Sequence, residues 1–202
     1  MKKLLTLILS ISILCAVFAV PISAESVKHT VVKGDSMWRI AVKYQVGLSE
    51  IKSANPHIKN PELIYPGDII TVPTVSSSVS SYEAEFVRLV NKERSARGLK
   101  PLTQNWELSR VARYKSEDMK NKNYFSHTSP TYGSPFEMMK SFGIQYRTAG
   151  ENIARGYTTP KSVVNGWMNS SGHRANILNS SFTEIGVGYV EAGKYWTQMF
   201  IG

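Results

Sequence analysis

The chain has 202 residues, enough for one ordinary domain or two small ones, since domains average roughly 150 residues. Hydrophobic residues make up 42% of it and aromatic residues 10%, so the chain can bury a core and is not wholly disordered. Its net charge of +9 suits an anionic partner such as a cell wall, a membrane surface or a nucleic acid. The single cysteine, Cys15, lies in an apolar segment near the start. The rest of the chain has no thiol, which excludes thiol catalysis, disulfide scaffolding and cysteine-based zinc fingers there.

Residues 1–24 have the pattern of a secretory signal peptide. Lys2 and Lys3 precede an apolar stretch, residues 4–20, and the small Ala24 follows at a position that suits signal peptidase. An uncleaved membrane anchor is the alternative, because a stretch this short stands at the lower edge of a spanning length. We expect cleavage, which makes the mature protein secreted and leaves it without a membrane span.

A serine-rich stretch, residues 74–81, divides the mature chain into two folded units. It has too little bulk to pack and too few charges to extend strongly, so it is interpreted as a flexible linker. The units on either side cover residues 28–73 and residues 82–202.

The first unit is predicted to fold in the order strand, helix, helix, strand. Alternation of apolar and polar residues indicates the strands, and apolar residues at helical spacing indicate the helices. The predicted elements are a strand over 29–33, a helix over 37–44, a short helix capped by Ser49 and ended by Asn55-Pro56, and a strand over 69–72.

Three motifs of this unit resemble the LysM domain, in particular the LysM modules of spore-coat and cell-wall proteins of Gram-positive bacteria. The motifs are Gly34-Asp35-Ser36-Met37-Trp38-Arg39-Ile40-Ala41, Asn55-Pro56 and Ile64-Tyr65-Pro66-Gly67-Asp68. The resemblance implies a βααβ fold that binds glycans containing N-acetylglucosamine, such as peptidoglycan or chitin. It places the glycan between the loop before the first helix and the loop after the second. The implied binding residues are Gly34, Asp35, Ser36 and Met37 on one side and Pro61, Glu62, Leu63 and Ile64 on the other.

Turn chemistry is the alternative interpretation of the same residues. Gly34-Asp35 and Pro66-Gly67 are typical of tight turns, and Asp35 or Ser36 can cap the helix that follows. If the residues do bind a sugar, exposed backbone groups of the turns would contact its acetamido groups, and Met37 and Ile64 would supply an apolar floor.

The second unit is predicted to contain helices first and antiparallel strands last, which indicates an α+β domain. The predicted helices cover 82–97, about 107–120, a segment from Ser134-Pro135 to Gly143, a segment from Thr159-Pro160 through Trp167, and a turn ending at 177–178. Two strands, 184–190 and 195–201, form a hairpin around residues 191–194. Four aromatic residues are predicted to be core: Trp167, Tyr189, Trp196 and Phe200.

Four motifs spread over residues 82–202 resemble the CAP superfamily of cysteine-rich secretory proteins, venom allergens and plant pathogenesis-related proteins. They are His127-Thr128-Ser129-Pro130, Gly150-Glu151-Asn152-Ile153, Trp167 with Ser171-Gly172-His173-Arg174-Ala175-Asn176-Ile177-Leu178, and Gly186-Val187-Gly188-Tyr189. The resemblance implies an α-β-α sandwich of the cysteine-free bacterial branch. The whole chain is therefore expected to be a small LysM domain tethered to a CAP sandwich.

The CAP resemblance also implies a candidate site. In many relatives two histidines and two glutamates meet in a central cleft and sometimes hold a divalent metal. His127, Glu151 and His173 match three of these four residues, whereas the segment after Trp167 offers no acid for the fourth. Three interpretations stay open: an open zinc site with water as the fourth ligand, a metal-free site in which Glu151 orients a basic histidine, and a hydrogen-bond network that joins loops to helices.

Two functions follow from these resemblances. The first is a secreted protein that the LysM module holds at the cell wall or spore surface, while a CAP cleft binds a wall component, a lipid or a protein. The second is a wall-directed hydrolase that uses His127, Glu151 and His173, with zinc as its metal if it has one. Nucleic acid is not a predicted partner, because the chain is exported and its positive charge is scattered.

Overall fold

The computed structural model describes residues 24–202, which form an α+β structure. The predicted signal peptide, residues 1–24, lies outside the described residues apart from Ala24, where the first strand begins. We call residues 24–75 the N-terminal module and residues 77–202 the C-terminal domain. Across the described residues, no helix is long and apolar enough to cross a membrane.

The N-terminal module has the predicted order of elements. These are β1 (Ala24–Thr30), α1 (Met37–Tyr44), α2 (Leu48–Ala54) and β2 (Ile69–Val75). β1 and β2 pair antiparallel, and both helices pack on the pair. The buried core is aliphatic and is made by Val31, Met37, Ile40, Ala41, Val46, Ile51, Ile70 and Val72.

One buried amide fixes α2 to the sheet. Asn55 Nδ2 donates to the carbonyl oxygens of Ile51 and Thr71, both at 2.7 Å, and Asn55 Oδ1 accepts from the Thr71 N–H at 2.8 Å. Asn55 is only 1% exposed, so its polar atoms are satisfied inside the module. This explains why α2 ends at the predicted Asn55-Pro56.

Three boundaries in the module differ from the sequence-based expectation. The last strand covers Ile69–Val75 rather than 69–72. The first strand covers Ala24–Thr30 rather than 29–33, because β2 continues through Pro73 and offers partners as far as Val75. Proline is tolerated there because each strand of a two-stranded sheet has a free edge. Helix α2 has Gly47 at its N-cap, not Ser49.

The serine-rich stretch is not a flexible linker, so that prediction is wrong. β2 ends at Val75 and α3 covers Ser77–Ser95, with Ser76 as its N-cap. The Ser76 hydroxyl accepts from the Val79 N–H, and the Val79 side chain is 4% exposed in the core of the C-terminal domain. The cap and this burial outweigh the modest helix propensity of the serines.

The C-terminal domain is a three-layer α-β-α sandwich, as predicted. Its elements after α3 are β3 (Thr103–Gln104), α4 (Trp106–Asn121), α5 (Pro135–Ser141), β4 (Ala149–Arg155), α6 (Pro160–Met168), α7 (Ser171–Ile177), β5 (Glu184–Val190) and β6 (Tyr195–Ile201). The sheet order is β3-β5-β6-β4. One core joins α3, α6 and α7 to one face of the sheet, and a second core joins α4 and α5 to the other. Trp167, Tyr189, Trp196 and Phe200 are buried, which confirms their predicted place in the core.

Two glycines let α4 lie directly on β5. A Cβ at Gly186 would stand 2.3 Å from the backbone carbonyl carbon of Leu108, and one at Gly188 would stand 2.2 Å from that of Ala112. Any side chain at these positions would push α4 off the sheet. The close contact fixes the distance between α4 and the sheet, and α4 carries several residues that support the candidate site.

The strand β4 was not predicted. Its burial does not alternate, because Gly150 through Ala154 are all buried, and its sequence includes the polar residues Glu151 and Asn152. A strand that is buried on both faces gives no period-two signal. Its pairing with β6 makes it a strand, and this pairing places Glu151 in the interior.

Candidate functional site

The candidate site of the C-terminal domain is built from three elements. His127 lies in the loop after α4, Glu151 lies on β4, and His173 lies on α7. His127 Nδ1 and Glu151 Oε1 form a hydrogen bond of 2.7 Å. The Glu151 side chain is 2% exposed whereas that of His127 is 54% exposed, so the pair joins a buried carboxyl group to an imidazole at the surface.

Opposing effects act on Glu151. Burial is the largest and raises its pKa, while the hydrogen bond from His127 and the positive charge of Lys115 lower it. The pKa of Glu151 stays above its usual value. The site therefore holds a carboxyl group that takes up a proton more readily than one in water.

Lys115 supports the loop that carries His127, and sequence analysis missed it. Its side chain is buried on α4, and Nζ donates to the carbonyl oxygens of Ser126 at 2.8 Å and His127 at 2.7 Å. Burial lowers the pKa of Lys115, and the nearby carboxylates of Glu151 and Asp118 oppose that shift. The signal was available, because Lys115 occurs four residues after the buried Val111, on the apolar face of the predicted helix.

Asp118 holds the next part of the same loop. Its carboxylate accepts hydrogen bonds from the hydroxyls of Tyr124 and Ser129, both at 2.6 Å, and from that of Thr131. These bonds lower the pKa of Asp118 in spite of its burial. Two neighbouring residues of α4, Lys115 and Asp118, thus fix the loop in which His127 lies.

His173 is connected to β4 through Asn152. Asn152 Nδ2 donates to the backbone oxygen of His173 at 3.1 Å and to Gln198 Oε1 at 3.0 Å, so it connects β4 to α7 and β6. The His173 and Trp167 rings are 5.8 Å apart between centroids. Burial lowers the pKa of His173, and the charge of His127 adds to this shift. The structure thus joins His127 to Glu151 directly, and joins the backbone of His173 to Asn152, the residue next to Glu151.

Within residues 24–202, four buried side-chain atoms have no hydrogen-bond partner, and all four belong to this region. They are Glu151 Oε2, Trp167 Nε1, His173 Nδ1 and Gln198 Nε2. Buried polar atoms are normally satisfied, so this concentration indicates a polar centre with unused hydrogen-bonding capacity. Gln198 was not singled out in the sequence.

The donor set does not fit a zinc site in this arrangement. In the part of the chain that the structure describes, no three His, Cys, Asp or Glu side chains gather closely enough to hold a metal ion. Glu151 Oε1 is hydrogen-bonded to His127 Nδ1, which leaves only Nε2 of that ring for a metal ion. Zinc binding stays a prediction from the resemblance.

The structure assigns fold-stabilising roles to several of the eight predicted glycan-binding residues. The Asp35 carboxylate accepts from the Val32 N–H at 2.9 Å and lies 2.8 Å from His29 Nε2, and these bonds lower its pKa. Ser36 caps α1 by accepting from the Arg39 N–H. Both roles agree with the alternative interpretation as turn and cap residues.

Met37 does not supply an apolar floor at the surface. It is 3% exposed and belongs to the core of the N-terminal module, because it faces inward from the first turn of α1. Ile64 is half-buried against the same core, so both predicted loops rest on one set of aliphatic side chains. Four predicted residues remain exposed: Gly34, Ser36, Glu62 and Leu63.

A concavity of about 310 Å³ adjoins the second of these loops. Its wall includes Leu63 and Tyr65, which are 55% and 62% exposed, together with polar residues. The complete lining is His57, Ile58, Lys59, Asn60, Leu63, Tyr65, Asp68 and Ile69. Tyr65 is part of the motif that resembles LysM, but its ring was not predicted to contact a sugar.

Comparison with known proteins agrees with this architecture. Residues 29–73 match the LysM domain, and residues 87–200 match the cysteine-rich secretory protein family, CAP. The chain therefore belongs to the CAP family. Its particular form is a CAP domain preceded by a LysM domain, and these are the C-terminal domain and the N-terminal module.

Two curated relatives and one solved structure illustrate the similarity. Uncharacterized protein YkwD of Bacillus subtilis (strain 168) is 65% identical over 132 residues, which are 65% of this chain and 51% of YkwD. Spore coat assembly protein ExsA of Bacillus cereus is 48% identical over 48 residues, which are 24% of this chain and 8% of ExsA. A crystal structure of an extracellular protein containing an SCP domain from Bacillus anthracis str. Ames has a TM-score of 0.59 and 34% identity, and covers 67% of this chain and 47% of that one. This chain spans about half the length of YkwD and far less of ExsA.

Proposed function

We propose that this protein is secreted and is held at the cell wall or spore surface by its N-terminal module, which binds peptidoglycan or a related glycan containing N-acetylglucosamine. The observation that carries the proposal is the concavity beside the loop of Leu63, within a LysM domain. The similarity to a spore coat assembly protein supports the location. Removal of residues 1–24 takes away Lys2 and Lys3 from a net charge of +9, and the charge of +7 that remains suits an anionic wall.

The chemistry of the concavity suits an amino sugar. Sugar rings have apolar faces, and the exposed Tyr65 ring and Leu63 side chain offer an apolar surface for one of them. His57, Lys59 and Asp68 add polar groups around it for hydroxyl and acetamido groups.

A sedimentation assay tests the glycan proposal. The full chain is mixed with purified peptidoglycan and spun, and binding to soluble N-acetylglucosamine oligomers is measured by calorimetry. We expect the double variant Leu63→Ser/Tyr65→Ala to bind about tenfold more weakly, which corresponds to about 1.4 kcal/mol. The control is Val42→Ser on α1, where an apolar side chain of comparable type is 40% exposed.

Two results would contradict the glycan proposal. One is a wild-type protein that stays in the supernatant and gives no heat with the oligomers. The other is a folded double variant that sediments as fully as the wild type and the Val42→Ser control.

For the C-terminal domain, we propose that the His127–Glu151 pair and its surroundings bind a wall component, a lipid or a protein. The exposed imidazole of His127 supports this, since it offers a ligand a polar group at the surface that is hydrogen-bonded to the buried carboxyl group of Glu151. No observation favours the hydrolase alternative, which we do not propose.

An NMR titration tests this second site. Isotope-labelled protein is mixed in turn with muropeptides, with lipid micelles and with a cell-surface protein extract. We expect one of these to shift the signals of His127 and Glu151, and His127→Ala to weaken that response. If none of the three shifts those signals, the site does not bind such ligands.

A further inference from the structure

Beside the packing of Val75 on the core of the C-terminal domain, an ion pair joins the two folded units. Glu50 lies on α2 of the N-terminal module and Arg110 lies on α4 of the C-terminal domain. Both carboxylate oxygens of Glu50 are used: Oε1 pairs with Arg110 Nε, and Oε2 accepts from Nη2 at 2.9 Å. Arg110 Nη2 also donates to Ser49 Oγ at 3.0 Å, and the Tyr114 hydroxyl donates to Glu50 Oε1 at 2.8 Å. We call these four residues the clamp.

The clamp is better shielded than an ordinary surface ion pair. The side chains of Arg110 and Glu50 are 20% and 18% exposed, and the guanidinium carbon lies 5.5 Å from the centre of the Tyr114 ring and 5.2 Å from that of Phe142. The bonds from Arg110 and Ser49 hold the pKa of Glu50 below its usual value even though burial acts against them. Two parallel hydrogen bonds and flanking aromatic rings restrict the orientation of the pair more than a single contact would.

Two features of the backbone hold the two units close together at this contact. A Cβ at Gly47 would lie 1.9 Å from Glu50 Oε2 and 2.4 Å from the guanidinium carbon of Arg110, so glycine at the N-cap of α2 lets the ion pair lie against the backbone. Between the end of β2 at Val75 and the start of α3 at Ser77 there is a single residue, Ser76. A joint this short offers few rotatable bonds, and the clamp provides a second point of attachment.

We infer that the N-terminal module and the C-terminal domain form one rigid unit, locked by the Glu50–Arg110 pair, so that the two candidate binding sites keep a fixed relative orientation. The rigidity itself does not depend on the proposed function. Its consequence does: if the N-terminal module binds peptidoglycan, it also sets the direction in which the His127 site faces the wall. A flexible tether would leave that direction free.

The inference is tested by residual dipolar couplings and backbone relaxation of the full chain in solution. In the wild type, amides of both units fit one alignment tensor and give one rotational correlation time. In Arg110→Met, which keeps the apolar stem without the charge, we expect the common tensor to be lost and the N-terminal module to give a shorter correlation time. The control is Arg88→Met, which removes an exposed ion pair with Glu85 within α3.

A charge swap distinguishes the loss of the ion pair from simple unfolding of a variant. Glu50→Gln is expected to free the module as Arg110→Met does, and the double variant Glu50→Arg/Arg110→Glu to restore part of the common tensor. Two tensors in the wild type, or one tensor retained in both folded single variants, would overturn the inference. Peptidoglycan sedimentation is a separate readout: a rigid protein that fails to sediment refutes the proposed function and leaves the rigid unit standing.

Discussion

Arg94 offers a quantitative test of how the C-terminal domain is held together. It lies on α3, is 1% exposed and has no acidic partner among the contacts of the described residues. Its guanidinium instead donates to four backbone oxygens, those of Lys100 at 2.9 Å, Ile177 at 2.8 Å, Asn179 at 2.9 Å and Phe182 at 3.4 Å. Three of these oxygens belong to the segment at and beyond the end of α7, the helix that carries His173.

The variant Arg94→Met should lose about 4 kcal/mol of unfolding free energy. Each buried carbonyl left without a donor costs about 1–3 kcal/mol, and the relief of burying a charge offsets part of that sum. Arg94→Lys should lose about half as much, because an ammonium cannot serve as many spread-out acceptors as a planar guanidinium. Arg97→Met, which removes only an exposed pair with Glu93, should lose about 0.5 kcal/mol.

Urea denaturation followed by tryptophan fluorescence measures these differences, since Trp167 and Trp196 are buried in the C-terminal domain. Hydrogen exchange adds a local readout: the amides of α7 should exchange faster in Arg94→Met than those of β5, which Arg94 does not contact. A loss below about 1 kcal/mol would refute the argument that these four bonds carry the stability. Uniform acceleration of exchange throughout the domain would refute the local role at α7.

Three further outcomes are expected. Burial raises the pKa of Glu117 from 4.5 to about 7, so the free energy of unfolding should fall as pH rises between these values. In urea denaturation, Glu117→Gln should raise the free energy of unfolding by on the order of 3 kcal/mol at pH 8 and leave it unchanged at pH 4. Because burial lowers the pKa of His173 from 6.5, the midpoint of its NMR titration should lie below 6.5. The protein should lose stability as pH falls below 6.5, and His173→Gln should reduce this loss. A midpoint above 6.5 would contradict the burial argument. Asn55→Ala removes three buried hydrogen bonds, so it should destabilise the N-terminal module by about 3 kcal/mol and reduce peptidoglycan sedimentation. If amide hydrogen exchange in the module of this variant is as slow as in the wild type, the three hydrogen bonds of Asn55 are dispensable.

Sequence reasoning succeeded where local patterns carry the structure. The helix Met37–Tyr44 and the strands Glu184–Val190 and Tyr195–Ile201 have the predicted bounds. The helices that begin at Pro135 and Pro160 also start where their serine and threonine caps indicated. Caps, proline at the first helical position and apolar periodicity are all local, so they can be identified without knowing the fold.

Sequence reasoning failed where contacts with residues far away in the chain decide the local conformation. Residues 77–81 became helical because Val79 is buried in the C-terminal domain, and residues 149–155 became a strand because β6 pairs with them. Lys115 supports the loop that carries His127, and only the folded structure reveals that it donates to the carbonyl oxygens of Ser126 and His127. Asn55, whose place at the end of α2 was predicted, joins two elements through bonds that its sequence position did not indicate.

The sequence by itself determined the family, the order of the elements and which three residues are candidates for the second site, because these follow from motifs and from short-range periodicity. Only the tertiary structure decided that His127 bonds to Glu151, that no three ligands converge on a metal within the described residues, and that Glu50 and Arg110 join the two units. The physical reason is that distances between residues far apart in the chain depend on how helices and strands pack, and packing depends on the whole set of side chains at once.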